Sequence, residues 1–135
     1  MNKRTLTSHK VNGLNEALTI YVMDEPGHGN ACHEYAITAI DENLGGVERS
    51  PISEKHGRNC LISFQNGPIN EAGVNGISNE ALLAIVEDRL TGFQSGQYAC
   101  RENAVALTKI QEAMMWLMKR TRDRMARGVE GTHIK

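Results

Sequence analysis

Aromatic rings are scarce in this chain, with one Trp, three Tyr and two Phe in 135 residues, so each exposed one carries more information than usual. An excess of positive charge is also missing. A formal net charge of −1 argues against a general nucleic-acid binder, whose affinity rests on many basic contacts to phosphates. Cysteines number three, an odd count without paired metal-ligand spacing: Cys32, Cys60 and Cys100 read as reduced thiols and exclude a disulfide frame. No apolar run approaches membrane-spanning length, and no apolar stretch of the signal-peptide kind follows Lys3, Arg4 and Lys10. Repeats and low-complexity tracts are absent as well. A soluble protein of one domain, residues 1–135, is expected, with a sheet part over 1–74 and a helical part over 75–135.

What is present lies mainly in the last third. Ser78 is a sound N-cap for a helix carrying Leu82, Ile85, Val86, Leu90 and Phe93 at three- and four-residue steps. Gly96 is expected to end that helix in a left-handed conformation. A second helix should run from near Arg101 to about Arg127, roughly 40 Å at the standard rise. Leu107, Ile110, Met114, Leu117 and Met118 form its apolar stripe, with Ala113 and Trp116 on an adjoining arc and Ala104 and Met115 further round. The two make a helical hairpin. One partner helix cannot cover so broad an arc, so the surplus predicts a sheet or, preferably, another copy of the chain against it.

Past Met118 the second helix turns basic. Arg120, Arg124 and Arg127 stand at i, i+4 and i+7 on the face that also carries Ala113 and Trp116, whereas Arg122 points nearly the other way. Cations there can simply complement the helix dipole and stay solvated. The sharper reading is an anion site, because guanidinium forks suit phosphate and this face emerges from apolar surroundings. With the positive charge local and the net charge near zero, the matching ligand is small and anionic.

Three segments, NGISNEALLAIVEDRL, FQSGQYACRENAVALTKIQEAMMWL and RTRDRMARGVEGTH, carry a resemblance. Over roughly 60 residues, the hairpin resembles the phage family of Thoeris anti-defence and anti-CBASS signal sponges, in its sheet-bearing Thoeris anti-defence type. The resemblance implies a non-enzymatic protein that sequesters nucleotide immune signals in the host cytoplasm without a cofactor. Hairpin-only members bind cyclic oligonucleotides. Members with a sheet before the hairpin bind glycocyclic ADP-ribose made by TIR-domain enzymes, and some assemble as hexamers with separate sites for cyclic di- or trinucleotides. By the same resemblance Phe93 would stack on the ligand's adenine, Asn103 would hydrogen-bond the ligand, and Arg120 and Arg124 would contact base or ribose-phosphate groups. Arg127, Gly128, Val129 and Thr132 would form the second nucleotide site, their backbone N–H groups being free for phosphate oxygens.

Asn103 and Arg120 lie 17 residues apart on one helix, roughly 25 Å, too far for one compact ligand to touch both. If these residues serve one site, two chains must pack antiparallel, so that the turn of one meets the basic end of the other. A homodimer at least is therefore implied, with two equal pockets.

Before the hairpin, Met1 to Leu14 reads as a frayed polar arm. Leu18–Met23 and His33–Ile40 read as antiparallel strands about a turn-rich loop, with Ala36, Thr38 and Ile40 on one face of the second. Ser50–Arg58 reads as a loop, Asn59–Gln65 as a third strand and Ile69–Val74 as a short fourth. Strands first and helices last predict an α+β fold: a small N-terminal antiparallel sheet followed by a C-terminal two-helix hairpin. His28, Cys32 and His33 could ligate zinc, but no fourth ligand is placed near them and no metal is expected. An enzyme that cleaves the signal would need a positioned acid–base pair; Glu130 with His133 is the candidate, in a tail expected to be flexible. A basic-helix adaptor for nucleic acid is the remaining alternative.

Overall fold

The structure is a computed structural model that describes residues 4–41, 47–48 and 60–135. The chain divides into two compact units, Met1–Asn66 and Gly67–Lys135. The α+β order stands: antiparallel strands come first and the helical hairpin last. The Ser50–Arg58 loop expectation lies outside the described residues.

The first unit is built around β3 (Glu34–Asp41), which pairs antiparallel with β2 (Leu18–Val22), β4 (Val47–Glu48) and β5 (Cys60–Ser63). Its register against β2 runs from Leu18↔Ala39 to Val22↔Tyr35. Side chains alternate as a pleated strand requires: Ala36 and Thr38 are buried, while Tyr35 and Ile37 are half-buried. Val22, Cys32, His33 and Ala39 complete the small core. Tyr35 and Phe64 add an edge-to-face ring pair with centroids 5.6 Å apart.

From Arg4 onward the N-terminal arm is not frayed. Arg4–Leu6 forms β1, paired antiparallel with β2, and Gly13–Ala17 forms a short helix, α1. Polar side chains make the difference. Asn12 caps α1 by accepting from the Asn15 N–H at 2.9 Å, and Lys10 Nζ donates to the Leu18 carbonyl at 3.1 Å. The loop between β2 and β3 is held by the Asp24 carboxylate, which accepts from the His33 N–H at 2.9 Å and from the Glu34 N–H at 3.1 Å. Burial pushes this carboxyl up, but the two backbone donors and the nearby His33 charge outweigh it and leave it below the ordinary 3.8. A depressed carboxylate stabilises the fold above the unfolded value and loses that contribution as pH falls through the folded one. Melting temperature should therefore drop below about pH 4, and the drop should be shallower in Asp24→Asn. Parallel melting curves for the two proteins would contradict this role.

In the second unit, Ile69–Ala72 is a helical turn, α2, where a fourth strand was expected. Pro68 presets the turn at φ −66°, Asn, Glu and Ala carry it on, and Gly73 stops it at φ +70°. α3 (Asn79–Gln94) starts at Ser78, whose hydroxyl accepts from the Ala81 N–H at 3.1 Å, and α4 spans Arg101–Ala126. Gly96 does not end α3 in a left-handed conformation. Side chains close that turn instead: the Ser95 hydroxyl donates to the Gly92 carbonyl at 2.7 Å, and Gln94 Oε1 accepts from the Cys100 N–H at 3.0 Å.

Half-buried positions on α4 are Asn103, Leu107, Ile110, Ala113, Met114, Leu117, Thr121 and Arg124, an alternation of four- and three-residue steps broken only by Ala113 beside Met114. On α3 the half-buried residues are Glu80, Leu82, Leu83, Glu87, Leu90 and Gln94, Leu82 standing beside the matching row. This is the narrow seam of a coiled coil. It corrects the expected α3 stripe in part: Leu82 and Leu90 are half-buried, but Ile85, Val86 and Phe93 lie off the seam and are exposed by 59%, 42% and 40%. Neither long helix contains a single buried residue.

Candidate functional site

The C-terminal end of α4 is fastened by its own tail. Arg127 caps the helix, Gly128 follows at φ +72°, and the chain turns back so that the Arg124 guanidinium lies among tail carbonyls. Arg124 Nε donates to Glu130 at 3.1 Å, Nη1 to the Ile134 carbonyl at 2.5 Å, and Nη2 to the Val129 and Thr132 carbonyls at 3.0 Å each. Four of its five N–H donors are thus used, and only 11% of the side chain is exposed. The tail also seats on α2: the Gly131 carbonyl accepts from the Asn70 N–H at 2.9 Å, and His133 Nδ1 meets Glu71 Oε1 at 2.8 Å. Gly131 is required there, because at φ +80° a Cβ would stand 3.0 Å from the Ile69 side chain.

This geometry changes what the tail offers. The expected flexible segment is bonded along its length, and Glu130 and His133 pair with Arg124 and Glu71 rather than with each other. The N–H groups of Gly128, Val129 and Thr132, expected to be free, donate to the carbonyls of Met125, Arg124 and Val129. Arg127 donates to the Lys135 carbonyl.

Beside the tail, Trp116, Lys119, Arg120, Asp123, Arg124, Arg127 and Lys135 line an open hollow of about 500 Å³. A second hollow of about 380 Å³ adjoins it, lined by Glu112, Met115, Trp116, Lys119 and Arg122. Lys119 is partly neutralised by Asp123 at 2.6 Å. Among the described residues Arg120 donates to no hydrogen bond and joins no ion pair, so its fork is uncommitted at the wall of the larger hollow.

At the opposite end of the hairpin, Phe93 is exposed, and the Arg89 guanidinium stands over its ring at 5.6 Å from the centroid. Asn103 is half-buried in the first turn of α4, its N–H donating to Cys100 Sγ at 3.4 Å. Arg120, Arg124 and Arg127 are thus brought together, while Phe93 and Asn103 belong to the other end of the same helices. Arg89 was missed, although its i−4 spacing to Phe93 was a readable signal.

A family model described as Acb2/Tad1, hairpin domain, matches residues 57–122. A protein named Thoeris anti-defense 1, from Bacillus phage SBSphiJ7, is 41% identical over 116 residues, covering 78% of this chain and 82% of the relative. The chain belongs to the Acb2/Tad1 family of phage Thoeris anti-defence proteins. Within the Acb2/Tad1 match lie Phe93, Asn103, Trp116 and Arg120; Arg124, Arg127, Gly128, Val129 and Thr132 follow its last residue. No helix among the described residues is long and apolar enough to cross a membrane.

Proposed function

We propose that the protein is a non-catalytic sponge that binds and holds glycocyclic ADP-ribose, the cyclic ADP-ribose signal made by TIR-domain enzymes, in the host cytoplasm. The uncommitted Arg120 fork at the wall of a hollow of about 500 Å³ carries this reading. A planar, permanently charged fork suits a phosphate, and a hollow of that size falls in the range of small-ligand pockets. Family membership supplies the immune context.

The site is completed by a second copy. Phe93 and Asn103 of one chain meet Arg120 of the other, giving a homodimer at least and two equal pockets; a hexamer is built by repeating such contacts. Two observations support assembly: neither long helix has a buried residue, and Met115 and Met125 are exposed by 67% and 63%. Arg124 contributes its charge and its one remaining N–H, and otherwise shapes the wall. The second site at Arg127, Gly128, Val129 and Thr132, for cyclic oligonucleotides, requires the tail carbonyl bonds to rearrange.

The test is to mix protein with glycocyclic ADP-ribose, denature by heat and analyse the supernatant. Intact ligand in stoichiometric yield supports sequestration; conversion of the ligand makes the protein an enzyme. Failure to bind it, together with salt-sensitive binding of DNA or RNA, makes it an adaptor. Phe93→Ala should lower affinity roughly 10- to 100-fold through the lost stack while the helices stay folded. Unchanged affinity in purified Phe93→Ala removes that ring from the site.

A further inference from the structure

Trp116 is the sole tryptophan of the chain, and it is left 71% exposed midway along the basic face of α4. It stands one helical turn before Arg120 and lines both hollows, the basic one of about 500 Å³ and its neighbour of about 380 Å³. The two differ in chemistry. Arg120 and Arg127 belong to the first, whereas Met115 lines the second together with Trp116. A nucleotide has the same division, an apolar planar base joined through ribose to anionic phosphate.

We propose that Trp116 is a binding residue of the nucleotide site: its indole stacks on the ligand's purine while Arg120 engages the phosphate. This rests on the sponge reading above and deepens it by giving the arginine-bearing chain an aromatic wall of its own. With Phe93 arriving from a second copy, the base is held on both faces. The indole is large, rigid and carries a polar edge, so it offers stacking area at low entropy cost. Lys119, shared by both hollows, is tied to Asp123 at 2.6 Å and keeps that wall polar on one side. Base–aromatic stacking tolerates any base, so Trp116 supplies affinity for a purine nucleotide in general and leaves discrimination among cyclic isomers to Arg120 and Asn103.

Because no other tryptophan is present, emission reports this position alone. The experiment is a titration of the full chain with glycocyclic ADP-ribose, read by tryptophan emission and by calorimetry, and repeated calorimetrically on Trp116→Ala and Trp116→Phe. Expected are ligand-dependent quenching in the wild type, an affinity loss of roughly 10- to 100-fold in Trp116→Ala, and most of the affinity retained in Trp116→Phe. Calorimetric binding with unaltered emission, or with equal affinity in Trp116→Ala, overturns the stacking role and leaves the sponge reading intact. So does emission already shielded from acrylamide before ligand is added, which places Trp116 in a contact between copies. Absence of calorimetric heat in the wild type overturns both.

Discussion

Arg120→Ala is expected to reduce affinity for glycocyclic ADP-ribose by two to three orders of magnitude without disturbing the helices. Arg120 is exposed and makes no bond within its own chain among the described residues, so its removal costs the free protein little. In the complex it would lose two charge-assisted hydrogen bonds, each worth about 1.5–3 kcal/mol and less than additive together. Arg120→Lys should recover only part of the loss, because an ammonium keeps the charge but not the planar fork. Calorimetric titration gives the affinity, and circular dichroism confirms the fold. Wild-type affinity in Arg120→Ala would remove the residue on which the functional reading stands.

Arg124→Ala should behave in the opposite manner, with the larger effect falling on stability. The substitution deletes four hydrogen bonds and an ion pair at a side chain that is only 11% exposed, and takes the Arg124 donor from the carbonyls of Thr132 and Ile134, while the Val129 carbonyl keeps the Thr132 N–H and hydroxyl. A loss of about 3 kcal/mol is expected, taking a mostly buried, multiply bonded cation as the guide. It should appear locally. Amide exchange ought to accelerate at Val129 and Thr132, whose N–H groups are bonded within the turn, while the amides of α4 around Leu107 and Ile110 stay protected. Arg124→Lys should not restore the tail, since a point charge cannot reach carbonyls on several sides at once. Uniform exchange rates in wild type and variant would show that the tail stands without this residue.

The hairpin was legible because its signals are local. Ser78 as a cap, the apolar spacing of Leu107 to Leu117, and the cationic end near Arg127 each depend on neighbours within a turn or two, and the helices begin and end close to where those signals place them. The misreadings involve side chains bonding across distance in sequence. β1 exists because it pairs with β2, and α1 because Asn12 and Lys10 tie polar groups together that composition alone marks as solvated. α2 was mistaken for a strand since four residues with one isoleucine and one alanine have no period to read. At the site, sequence grouped Arg120, Arg124 and Arg127 as equivalent forks on one face. Their difference arises only when the tail returns over Arg124, through contacts made five to ten residues away.

The seam between α3 and α4 leaves every side chain of both helices at least partly wet. On the proposed reading, a second copy packing over this rod pair would add to its stability, so association and capture of the signal molecule would share one concentration dependence. Protection of an infected cell would then switch on above a threshold number of copies instead of growing in proportion to each copy made. The timing of expression relative to the alarm would matter as much as the tightness of any one pocket.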